Sequence, residues 1–85
     1  MKNKVFVQLI VPEIDKTFDV YLPVNKKMGD IIILLNQAVS ELTFGEIELS
    51  NENILYNKST HERYSSDILL VNTNIRNGSV LVLVS

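Results

Sequence analysis

Residues 78–85 read GSVLVLVS. Five apolar residues, Val80 to Val84, follow one another without a polar interruption. A strand with one wet face alternates apolar with polar residues, because successive side chains point to opposite faces. This strand does not alternate, so both of its faces call for apolar surroundings. That places Ser79–Val84 in the middle of a sheet. Asn77-Gly78, immediately before it, is a strong turn signal.

A matching segment lies at the other end of the chain. Residues 4–11, KVFVQLIV, are rich in β-branched residues and end at Pro12, which cannot donate to a ladder. If the last strand pairs with the first, both terminal strands are central, and their shared apolarity is explained. The polar stretch PEIDK, residues 12–16, has hairpin length. It leads into TFDVYL, residues 17–22, where Phe18, Val20 and Leu22 share one face and Thr17, Asp19 and Tyr21 the other. The first two strands therefore form an antiparallel hairpin.

The middle of the chain changes period. Met28, Ile31, Ile32, Leu35, Val39 and Leu42 recur at the spacing of one helical face, which predicts a helix over 28–42. Asp30 near its start suits the positive end of the dipole, and Gly45 is a stop signal. Ile33 is left on the opposite side. Beyond Gly45 the reading thins. ILY at 54–56 reads as a short strand, Asn57-Lys58 as a turn and HERY at 61–64 as another short strand. DILLVNTNI at 67–75 reads as an apolar clasp with a single helical turn. The order strand, strand, helix, short strands, strand gives a two-layer α+β domain with one helix on a small sheet.

The chain has 85 residues, a net charge of −2 and a sequence pI near 5.2. Its length predicts one domain spanning 1–85. No Lys/Arg cluster is present, which weighs against nucleic acid and against an anionic membrane surface. There is no cysteine. Disulfides, thiolate catalysis and Cys-ligated metals are thereby excluded. Residues 1–16, MKNKVFVQLIVPEIDK, start basic and turn apolar. Gln8 and Pro12 interrupt the run and no small-residue cleavage site follows, so it reads as a strand rather than a signal peptide. No stretch approaches the roughly 20 apolar residues of a membrane span. The expectation is a cytoplasmic protein without direct membrane insertion.

Candidate chemistry is sparse. His61 is the lone histidine, with Ser59, Glu62 and Ser65 beside it. A nucleophile, base and acid must converge in space. Here they are neighbours on one polar stretch, and adjacent strand residues point to opposite faces. We read a surface loop and no catalytic residue. Glu13, Asp15, Asp19 and Asp30 lack a metal-ligand spacing, so no metal is expected. Gly29, Gly45 and Gly78 are too scattered for a phosphate loop, and no cofactor is implied. Asn57-Lys58-Ser59 and Asn77-Gly78-Ser79 fit the N-glycosylation pattern but read as turns.

The element order is that of the β-grasp fold, with a mixed four- to five-stranded sheet on one α-helix, and several stretches resemble ubiquitin. KTFDVYLP at 16–23 resembles its second strand, which also opens Lys-Thr and alternates into a proline. LVNTNIRNGSVLVLV at 70–84 resembles its turn, an Asn-Ile pair (Asn74-Ile75) and its last strand. NILY at 53–56 resembles its third strand. The apolar helix, the 70–84 ending and the cysteine-free length also resemble the YukD/EsaB family of Gram-positive type VII secretion loci. That resemblance implies a protein partner, including a membrane component of the secretion apparatus, and an accessory or regulatory role without enzymatic activity. Ubiquitin-like modifiers end in a flexible Gly-Gly tail. The stop at Ser85, with no glycine after Gly78, implies a role by binding rather than conjugation.

The ubiquitin-like registration turns Val5, Val7, Leu9, Phe18, Val20, Leu22, Ile54, Tyr56, Leu81 and Leu83 toward the helix. Phe6, Ile10, Leu55, Val80, Val82 and Val84 then face the open side, where ubiquitin binds its partners. Polar positions of that patch are valine here, notably Val82. Three outcomes stay open: docking of a protein partner, self-association, or a face satisfied by β-propensity or covered by the chain's own residues 45–53.

Overall fold

The computed structural model describes residues 3–45 and 53–84. Strand β1, Lys4–Val11, buries every second side chain: Val5, Val7, Leu9 and Val11 are at most 6 % exposed. Pro12 ends it and starts one turn of 3₁₀-helix, Pro12–Ile14. Asp15 closes that turn in the left-handed region at φ 51, its N–H donating to the Pro12 carbonyl at 3.1 Å. Strand β2, Lys16–Pro23, returns antiparallel, with Lys4 opposite Pro23 and Val11 opposite Lys16.

Helix α1, Met28–Leu42, buries Met28, Ile31, Leu35 and Val39, four of the six positions on its apolar stripe. Ile32 is half-buried and packs against the core. Leu42 departs from the expectation: as the last residue of the helix it is 54 % exposed. Strands β3, Ile54–Asn57, and β4, Ser79–Val84, complete a four-stranded sheet in the order β2-β1-β4-β3. The terminal strands pair in parallel at the centre, Val7 opposite Ser79 through Ile10 opposite Val82. A parallel pair needs a long crossover, and α1 lies within it.

The expected clasp at 67–75 is present as a 3₁₀ turn, Leu70–Asn72. It ties the helix entry down: the Leu70 and Val71 N–H groups donate to the Lys26 and Val24 carbonyls, both at 2.9 Å. Residues 61–64 are not a strand. Only an isolated bridge joins Arg63 to Tyr56, because Asn57 folds the chain into a tight turn first. The Asn57 side-chain oxygen accepts from the Ser59 N–H at 2.9 Å and the Thr60 N–H at 3.3 Å. The His61 N–H then donates to the Asn57 carbonyl at 2.7 Å, with His61 itself left-handed at φ 59.

Leu55 is a correction. It is 2 % exposed, belongs to the core cluster and sits opposite Leu83. Ile54 and Tyr56, expected toward the helix, occupy the other face opposite Val84 and Val82. The physical reason is that the flanking polar residues point inward. Asn53 and Asn57 are both 6 % exposed, and the Asn53 amide donates to the Asn36 side-chain oxygen on α1 at 2.8 Å. Buried asparagines with partners set the phase of this short strand.

Candidate interaction surface

The strand registers assemble the side of the sheet away from α1. Its central row runs Thr17, Ile10, Val82, Tyr56 across all four strands. One row toward the start of β4 lie Asp19, Gln8 and Val80. One row toward its end, Ile54 sits opposite Val84. Ile10, Ile54, Tyr56, Val80, Val82 and Val84 therefore form a contiguous apolar group on β1, β4 and β3. Five of them are half-buried and keep part of their surface open. Val82 is only 5 % exposed, yet it is not part of the core cluster. Its row neighbours Ile10 and Tyr56 flank it on the same face.

Phe6 stands apart from that group. It pairs with Tyr21 across β1 and β2, the rings 5.4 Å apart and tilted by 55°, and Tyr21 is 62 % exposed. The polar Gln8–Asp19 pair separates this aromatic couple from Ile10 and Val82. Of the six expected residues, five share the open face and four of those belong to the apolar group. Leu55 does not. Ile54 and Tyr56 were missed because one-residue phase errors exchange the faces of a strand. Their pairing opposite Val84 and Val82 is the signal that finds them.

The polar candidates do not converge. His61 is exposed and its ring lies 6.5 Å from the Tyr56 ring, tilted by 47°. Among the described residues, no side-chain hydrogen bond joins Ser59, His61, Glu62 and Ser65, and no group of three His, Cys, Asp or Glu could hold a metal ion. Tyr64 donates its hydroxyl proton to the Asn74 side-chain oxygen at 2.7 Å. Partial burial raises its pKa above the ordinary 10.0, Asn57 pulling it down and the Glu62 charge pushing it up. No helix among the described residues is long and apolar enough to cross a membrane.

A mixed four-stranded sheet with central parallel terminal strands, and one helix in the crossover, matches many solved ubiquitin-like structures. The fold is the ubiquitin-like β-grasp. The β-grasp of this chain is similar to the ubiquitin-like domain of Arabidopsis thaliana protein At2g32350, at a TM-score of 0.72 and 14 % identity over 95 % of this chain and 76 % of that one. It is similar to the ubiquitin-like domain of the Mycobacterium tuberculosis type VII secretion protein EccD1, at a TM-score of 0.71 and 18 % identity over 96 % and 98 % of the two chains. A chain of the ESX-5 inner membrane complex matches with a TM-score of 0.67 and 18 % identity, over 95 % of this chain but 20 % of that one. No protein-family model and no curated protein matches the sequence. At these identities the likeness establishes the fold, and a β-grasp hosts many functions.

Proposed function

We propose that this protein is a non-enzymatic, YukD-like binding component of a bacterial type VII secretion apparatus, docking from the cytoplasm onto a membrane protein of that apparatus. Its role is accessory or regulatory and needs no covalent attachment. The observation that carries the reading is the open sheet face, where Ile10, Ile54, Tyr56, Val80, Val82 and Val84 lie together on three strands. Apolar side chains that cluster on one face and keep part of their surface open are what marks an interaction site. Structural likeness to the EccD1 domain and to a chain of the ESX-5 complex supports the choice of apparatus.

In this mechanism apolar area supplies the affinity. The Gln8–Asp19 pair beside it supplies polar contacts that orient the partner. The test uses Val80→Asp, because Val80 is half-buried, whereas an aspartate at Val82 would be enclosed by its neighbours. Tagged protein is incubated with detergent-solubilised type VII inner-membrane complex from the same cells. The wild type is expected to retain the complex and Val80→Asp to lose it, with an unchanged amide NMR spectrum away from the substitution. Retention by the variant, or by neither protein, overturns the proposal.

A further inference from the structure

Asn77-Gly78 is the one Asn-Gly pair in the chain, and the fold uses it in an unusual way. The Asn77 side-chain oxygen accepts the Phe6 N–H at 2.9 Å. The Gly78 N–H donates to the Phe6 carbonyl at 2.8 Å. One side chain and one backbone amide thus stand in for two rungs of the β1–β4 ladder, which continues as Val7 opposite Ser79. On its other side the turn is closed by the Arg76 N–H donating to Ser79 Oγ and the Ser79 N–H donating to the Arg76 carbonyl, both at 2.9 Å. Gly78 is left-handed at φ 89, with open space where a side chain would stand, and both residues are exposed to water.

We infer that Asn77 is a site of spontaneous deamidation that the folded β1–β4 seam holds in check. The Gly78 nitrogen attacks Asn77 Cγ, forming a new C–N bond. The bond from Cγ to the side-chain nitrogen breaks, and ammonia leaves carrying the proton given up by Gly78. Water then opens the five-membered succinimide at either carbonyl, leaving an aspartyl or an isoaspartyl residue at position 77. The sum is water in and ammonia out, with no oxidant or cofactor.

Glycine at 78 leaves the attacking nitrogen unshielded, which is why this pair and not the other asparagines is singled out. The brake is geometric. The nucleophile must surrender its bond to the Phe6 carbonyl, and the side-chain carbonyl must swing off the Phe6 N–H, before the ring can close. Both bonds are lost when the seam opens locally. The isoaspartyl product adds a methylene to the main chain at the mouth of β4. That shifts Gly78 and Ser79 out of register with Phe6 and Val7, two residues before Val80 on the apolar face. The reaction is irreversible, so the modified fraction records how much time the seam has spent open.

The experiment follows the mass gain of deamidation in the full chain, mapped by peptide digestion, during incubation in warm, mildly alkaline buffer with and without unfolding urea. The native protein is expected to deamidate at Asn77 about tenfold or more slowly than the unfolded chain. Asn77→Asp, which keeps an acceptor for Phe6, should show no gain in that peptide under either condition. Equal rates in the folded and unfolded protein overturn the protective role of the seam. A gain that maps elsewhere in the unfolded chain and spares Asn77 overturns the site.

Discussion

Phe44 shows how one residue can carry strain for an element. It lies in the left-handed region at φ 56 and is 96 % exposed. The Phe44 N–H donates to the Glu41 carbonyl at 3.2 Å and the Gly45 N–H to the Ser40 carbonyl at 2.7 Å. That is a Schellman closure whose left-handed position holds phenylalanine where glycine is favoured. Phe44→Gly should stabilise the protein by about 0.5–1 kcal/mol in urea denaturation, relief of strain outweighing the added chain entropy. Tyr64 is a second residue with a measurable signature. Its raised pKa, caused chiefly by burial, means that the folded protein holds the hydroxyl proton more tightly than the unfolded chain. The resulting stability is present below pH 10.0 and is lost as pH climbs from there through the folded value. Tyr64→Phe should cost about 1 kcal/mol at neutral pH through the lost Asn74 bond. It should also flatten the alkaline limb of stability against pH. Neither feature was legible in the sequence: the stop signal at Gly45 was, but not that the residue before it would take the left-handed turn.

Among the elements, β1, β2 and α1 were legible because each repeats its period over eight or more residues. β3 was not. Its four residues include three consecutive apolar ones, Ile54, Leu55 and Tyr56, so alternation gives no phase. Reading the flanking Asn53 and Asn57 as outward-facing reverses the strand, since both are buried. The start of α1 hid its anchor for a different reason. Lys27 supplies no side-chain cap. Instead the Met28 N–H donates to the Ile68 carbonyl at 2.8 Å and the Gly29 N–H to the Ser66 carbonyl at 3.0 Å. Those carbonyls come from far along the chain, beyond the reach of a local capping rule. The Asn53 Nδ2–Asn36 Oδ1 bond couples α1 to the entry of β3, and the other end of the same amide, Asn53 Oδ1, is buried with no partner among the described residues. Replacing either asparagine alone by leucine should cost about 1–3 kcal/mol, because the buried amide that remains then loses one of its hydrogen bonds. Replacing both should cost less than the sum, which a double-mutant cycle in urea measures.

At the scale of the molecule, the apolar ends decided the topology. KVFVQLIV and SVLVLV are two-faced strands, and they pair in parallel at the centre of the sheet. The same runs of valine and isoleucine supply both the core and the open face, so the candidate surface was legible on β4 and at Ile10 of β1, while Phe6 proved to pair with Tyr21 apart from it and the phase of β3 was lost. Of residues 45–53, which the sequence offered as a cover for that face, 46–52 lie outside the described part of the chain. Under the proposed docking role, a surface made of Ile10, Ile54, Tyr56, Val80, Val82 and Val84 on a chain of net charge −2 would draw on apolar area more than on charge. Partner affinity should therefore change less than about threefold between low and physiological salt, where charge-steered complexes fall steeply. The measurement that bears most directly on the binding role is a titration of purified type VII inner-membrane complex with the wild type and with Val80→Asp, alongside their urea midpoints. A docking face predicts at least about 2 kcal/mol of lost affinity, roughly thirtyfold, with unfolding stability held within about 0.5 kcal/mol. Equal affinity for the two proteins, or a variant that unfolds before it can be titrated, would contradict it.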